Sequence, residues 1–103
     1  MILDITDHGG KFFDLLAQKT AIAWDLNRVG GIKEHPTNGM LYAVEPDVGN
    51  IMAVDPSTPK NYRFEPPVVR GLVRPTCIRF SGDGKTMFVC SQGEGVVWKI
   101  TGF

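Results

Sequence analysis

The feature that most constrains this chain is an internal repeat of about 46 residues. His35-Pro36-Thr37-Asn38-Gly39-Met40-Leu41-Tyr42-Ala43-Val44 compares with Phe80-Ser81-Gly82-Asp83-Gly84-Lys85-Thr86-Met87-Phe88-Val89. In each copy a polar turn ending in glycine separates an incoming strand from an apolar outgoing one. Further on, Gly49-Asn50-Ile51-Met52-Ala53-Val54 answers Gly95-Val96-Val97-Trp98-Lys99-Ile100. The offset is 46 for Leu41 to Met87, Gly49 to Gly95 and Val54 to Ile100, and 45 for Gly39 to Gly84. That difference predicts one extra residue in the second turn. A third, partial copy is expected at the N-terminus, where Leu3-Asp4-Ile5-Thr6 corresponds to Met52–Asp55 and Lys11-Phe12-Phe13 to Lys60–Tyr62, both at an offset of 49.

Short apolar runs rich in β-branched and aromatic residues, bounded by Gly, Pro, Asn or Asp, predict strands. They fall at 2–6, 11–16, 21–26, 31–34, 40–44, 50–55, 62–64, 77–80, 86–90 and 96–101. The one helical candidate, 12–18, is too short to stand alone in water and is read as strand. Twelve glycines and seven prolines suit a turn-rich all-β chain. Four-stranded units of this period are the blades of β-propellers. With strands lettered A to D from the axis, 1–19 supplies C–D of a first blade. Residues 20–70 form a complete blade and 71–103 the A–B–C strands of another, with 21–26 unplaced. The fold class expected is therefore all-β, with about two four-stranded blade equivalents. Two such units cannot close a ring. Their apolar faces and open edges call for completion, either by oligomerisation into a ring, with three copies favoured, or by a second chain within a larger propeller.

Eleven basic and eleven acidic residues cancel, and no basic run points to nucleic acid or a membrane surface. No apolar stretch approaches the ~20 residues of a membrane span. Residues 1–7 lack the basic and apolar regions of a signal peptide, which predicts a cytoplasmic protein. Two cysteines, Cys77 and Cys90, make no disulfide framework and fit no zinc spacing. Two buried free thiols are expected rather than a bridge, with Cys77 in the core.

From Arg74 to Val89 the sequence resembles a blade of the gluconolactonase/regucalcin-like propellers, of SGL/NHL type, whose blade reads Pro-Asn-Gly-ϕ-x-ϕ-Ser-x-Asp-Gly-Lys-Thr-ϕ-Tyr-Val-x-Asp with ϕ apolar. The likeness extends over 74–101 and is weaker over 31–55. NHL-repeat and strictosidine-synthase-like propellers share most of the pattern. In the lactonases a divalent cation at the channel mouth is held by the Asn after the Pro and the Asp after strand B. The matching residues here are Thr76 and Ser91, and in the other blade Gly31, approximately, and Glu45. Three of the four lack a ligating group, and a hard cation needs several oxygen ligands. No cofactor is expected beyond a cation under a lactonase reading.

Other groupings have ordinary explanations. Asp4, Asp7 and His8 sit in a polar turn closed by Gly9 and Gly10. His35 is expected to be a solvent-facing turn residue, its counterpart being Phe80. Gly82-Asp83-Gly84 and Gly93-Glu94-Gly95 precede strands and read as hairpin turns rather than phosphate cradles. Ser91 lacks the strand-turn-helix setting of a hydrolase nucleophile. Trp98 aligns with Met52 and is assigned to packing between blades, and Trp24 is the exposed aromatic. The starts of A strands and the ends of B strands share one rim, which nominates Arg28, Glu45, Arg74, Thr76 and Ser91 as ligand-binding positions. The function expected is a non-catalytic assembly or ligand-binding module, possessing a small-molecule site on that rim. The alternative is a lactonase or esterase-like hydrolase whose metal ligands come from elsewhere.

Overall fold

A computed structural model describes residues 20–103. The strands expected at 2–6 and 11–16, and the polar turn at 4–8, lie outside the described residues. Among the described residues every regular element is a strand: β1 (Ala23–Trp24), β2 (Gly31–Glu34), β3 (Leu41–Glu45), β4 (Asn50–Val54), β5 (Lys60–Asn61), β6 (Pro75–Phe80), β7 (Thr86–Ser91) and β8 (Val96–Thr101). No helix among them is long and apolar enough to cross a membrane.

The strands form two antiparallel meanders, β2-β3-β4 and β6-β7-β8, and a small parallel pair of β1 with β5. Both meanders obey one register. Leu41 pairs with Val54 as Met87 pairs with Ile100, and Gly31 pairs with Val44 as Cys77 pairs with Cys90. The constant offset of 46 thus holds through all three strands. The β3–β4 and β7–β8 hairpins close alike, with Gly49 and Gly95 at φ of 73° and 67° donating to the oxygens of Glu45 and Ser91. A residue without Cβ takes that left-handed conformation at little cost.

Stacking follows from strand alternation, which sends successive side chains to opposite faces. On the first meander Leu41, Ala43, Met52 and Val54 point to a front face, and Tyr42, Val44, Ile51 and Ala53 to a back face. The back face packs on the front of the second meander, built from Ile78, Phe80, Met87, Val89 and Ile100. Val44, Ile51, Met87 and Val89 are fully buried there, each contributing about 1.5–3 kcal/mol. The front of the first meander is covered by Ile22, Ala23, Leu26 and Tyr62.

Several expectations are corrected. The turn before β7 carries no extra residue: six residues separate Glu34 from Leu41 and Phe80 from Met87 alike. The shift lay in where each turn places its left-handed glycine, Gly39 or Gly84. His35 therefore corresponds to Ser81, and the two share a bond from their amides to Met40 O and Thr86 O. No outer strand forms over 62–64. Pro66 and Pro67, which lack amide protons, follow this segment, and the β4 edge is met only at Ile51, which Val69 bridges and to whose oxygen the Val68 amide donates. The chain at 60–61 instead runs beside β1, which places part of the unassigned 21–26 segment. Each meander thus has three strands.

Candidate functional site

Cross-strand register puts the start of β2 and β6 beside the end of β3 and β7, so the five nominated rim residues do share one end of the two sheets. They do not converge on one point. Glu45, 4% exposed, accepts a hydrogen bond at Oε2 from the Asn27 amide at 2.6 Å. Arg28 and Arg74 both reach Asp47, at 3.6 and 3.8 Å. Their side chains are largely exposed, so each pair stabilises by no more than about 1 kcal/mol. Asp47 was missed from sequence because it lies in a hairpin turn, where an aspartate is usual.

Ser91 is buried and faces inward. Its Oγ lies 2.7 Å from Val73 O and 2.9 Å from Glu94 Oε1, which also accepts from Trp98 Nε1 at 3.1 Å. One hydroxyl proton serves those two acceptors in turn, and the oxygen is closed off from any substrate. Ser91 fixes the segment before β6 to the β7–β8 turn; Gln92 and Gly93 amides complete the tie by donating to Arg74 O and Val73 O. Thr76 sits exposed at the irregularity between Pro75 and Cys77.

Glu45 instead belongs to a hollow of about 260 Å³ at the front of the first sheet. Asp25, Asn27, Asn50, Arg63 and Glu65 share its lining. Arg63 also borders neighbouring hollows of about 320 and 450 Å³, so these form one shallow polar region. Asp25 is held by Asn61 Nδ2 at 2.6 Å. Glu65 pairs with Lys60, and this hydrogen bond holds the exposed Lys60 ammonium above its ordinary value. Carboxylates, carboxamides and one guanidinium can bind a polar ligand by hydrogen bonds, but none is a nucleophile beside a base. No three His, Cys, Asp or Glu side chains among the described residues are placed to hold a metal ion.

Four further expectations change here. His35 is buried at 5% exposure rather than solvent-facing. Cys77 and Cys90 are joined in a disulfide, because the register sets them directly opposite on β6 and β7 with Cα atoms 5.0 Å apart, within bridging reach. Cys77 is exposed rather than in the core. Trp24 is exposed as expected, and so is Trp98, at 45%. No family model, curated protein or solved structure matches the chain.

Proposed function

We propose that the chain is a run of β-propeller blades, about two blade equivalents long, acting as a non-catalytic assembly or ligand-binding module. One observation carries this reading: two meanders of identical strand order and register, 46 residues apart, stack back to front. A unit that stacks this way leaves a face of the same kind for the next unit. Completion is by a ring of copies, with three favoured, or by a second chain. The polar region around Glu45 and Arg63 is the ligand site this reading assigns, and a small polar molecule fits its chemistry. The disulfide favours an oxidising compartment over the cytoplasm expected from the sequence.

The test is the mass of the intact chain by light scattering. A discrete multiple of 11.3 kDa supports self-assembly, and a folded monomer at micromolar concentration removes it.

A second reading, a metal-dependent lactonase or esterase of the gluconolactonase-like kind, draws on Glu45, Asp25 and Glu65 bordering one region with Asn27 and Asn50. The donor set does not fit a cation well, because the Arg63 guanidinium lines the same hollow. Lactone hydrolysis that appears with added divalent ion and disappears with chelator would favour this reading over the first.

A further inference from the structure

The back face of the second meander has no cover among the described residues, and the repeat identifies what it is built to meet. Its rungs are Arg79-Phe88-Lys99 and Cys77-Cys90-Val97. At an offset of 46 these stand for Lys33-Tyr42-Ala53 and Gly31-Val44-Ile51 of the first meander. There Tyr42, Val44 and Ile51 are buried under the second meander, whereas Phe88 is 38% and Val97 67% exposed. The covering residues within the chain are Met87 and Val89 of β7, Ile100 of β8, and, at the β6 edge, Ile78 and Phe80, of which Phe80 meets Tyr42 edge-on at 5.0 Å.

The counterparts of Ile78 and Phe80 on β2 are Ile32 and Glu34. Ile78 is 6% exposed, but Ile32 is 58% exposed, because the layer of Ile22, Leu26 and Tyr62 covers the front of the first meander without reaching its β2 edge. The two open surfaces are complementary in charge. Glu34 on one, and Arg79 and Lys99 on the other, form no ion pair with any described residue.

We propose that these are the two halves of one head-to-tail interface: the back face of β6-β7-β8 in one copy receives the β2 edge of a second copy. Ile32 then packs beside Phe88 and Val97, and Glu34 faces Lys99 and Arg79. This repeats between chains only the β6 part of the step made within one, because Leu41 and Ala43, the counterparts of Met87 and Val89, lie under Ile22, Ala23, Leu26 and Tyr62, and it rests on the stacked-blade reading above. Pairing of the back face with itself is opposed by its two cations, which would meet their own copies. A heterologous contact of this kind closes into a ring or propagates.

The experiment compares the intact chain with Val97→Asp and Ile32→Asp by light scattering and sedimentation, with circular dichroism and melting temperature as checks on folding. The intact chain is expected to be oligomeric and each variant monomeric. Their equimolar mixture is expected to form a heterodimer and nothing larger, because one intact head meets one intact tail. Glu34→Lys, which leaves the apolar surfaces untouched, is expected to weaken association about tenfold or more, with the effect fading at high salt. If the intact chain is oligomeric but either aspartate variant keeps its mass, or Glu34→Lys binds unchanged, this interface is wrong while the stacked-blade reading stands. Dissociation by Val97→Asp alone would mean the back face pairs with itself, and also overturns it. A monomeric intact chain, its back face covered by residues 1–19 or by nothing, removes both this interface and self-assembly.

Discussion

His35 Nε2 donates a hydrogen bond to the main-chain oxygen of Gly84, 2.8 Å away, tying the β2–β3 turn to the turn before β7. The other ring nitrogen, Nδ1, accepts from the amides of Thr37 and Asn38, both at 3.1 Å. Two donors converging on Nδ1 require its lone pair, so the proton resides on Nε2. The ring also packs edge-on against Phe80, at 4.8 Å between centroids. One imidazole thus orders its own turn and joins the two sheets.

Replacing His35 by Ala strands two part-buried amides and one buried carbonyl and opens space beside Phe80. The expected loss is about 2–4 kcal/mol of unfolding free energy by urea titration. Nitrogen NMR of the imidazole should show the Nε2-protonated tautomer. A variant as stable as the parent, or a ring protonated on Nδ1 alone, would contradict the arrangement.

Removing the disulfide by Cys77→Ser with Cys90→Ser, or by reduction, is expected to cost about 2–3 kcal/mol, as for a loop of this order; the bridged residues are 13 apart. The fold should persist, because the equivalent pair Gly31 and Val44 holds its register without a bridge. Strand content by circular dichroism should therefore be unchanged below the melting transition, while the transition itself moves down. Loss of the sheet at 20 °C would show the bridge to be required for the fold.

Gly49 and Gly39 separate two costs that a glycine can hide. Both have φ near +75°. A Cβ on Gly39 would meet nothing, whereas one on Gly49 would overlap the carbonyl oxygen of Leu72, whose amide donates to Gly49 O. Gly39→Ala is expected to cost about 1 kcal/mol, the strain of a left-handed alanine. Gly49→Ala should exceed it by about 2 kcal/mol or more, since backbone must shift and Val68 and Val69 lose their anchorage on Ile51. Equal costs in denaturant titrations would mean the Leu72 segment is not held against the hairpin.

The two meanders were legible because alternation and turn glycines mark each strand independently of what it packs on. The expected and observed bounds of β2 and β8 coincide, and the others of these six strands differ by one or two residues. What was misread depended on register. Aligning the turns on their glycines placed His35 opposite Phe80, an apolar residue, and so argued for solvent. The ladder aligns His35 with Ser81, and a buried bridging role becomes visible only then. A single pair of cysteines without a signal peptide argues for free thiols, whereas their partnership is a cross-strand fact. Carrying the offset of 46 through every strand would have set Cys77 beside Cys90, as it sets Gly31 beside Val44. At the rim, strand order located Arg28, Glu45, Arg74, Thr76 and Ser91 at one end of the sheets. Their divergence there depends on side-chain partners such as Asp47, Asn27 and Val73, which are remote in sequence from most of them. Arg63 escaped notice because it lies in the segment 62–64, expected to be a strand on the β4 edge, and Glu65 directly follows that segment.

Acid should loosen two turns in a predictable order of cause. Asp83 accepts from Ser81 Oγ at 2.7 Å and from the Lys85 amide at 3.0 Å, and these bonds hold its carboxyl below the ordinary value of 3.8. Asp55 is lowered in the same way by the hydroxyl and amide of Ser57. A carboxyl depressed in the folded state adds stability above its unfolded value, and that stability drains away as pH falls through the folded one. The chain should therefore lose stability below about pH 4, and the part owed to Asp83 should vanish in Asp83→Asn. Urea titrations of parent and variant from pH 7 to pH 2 should converge on the acid side. Both carboxylates are exposed, so the gap at neutral pH is expected to be small and to narrow in high salt. A constant gap across the range would mean that the asparagine disturbs the turn by its shape rather than through the missing charge.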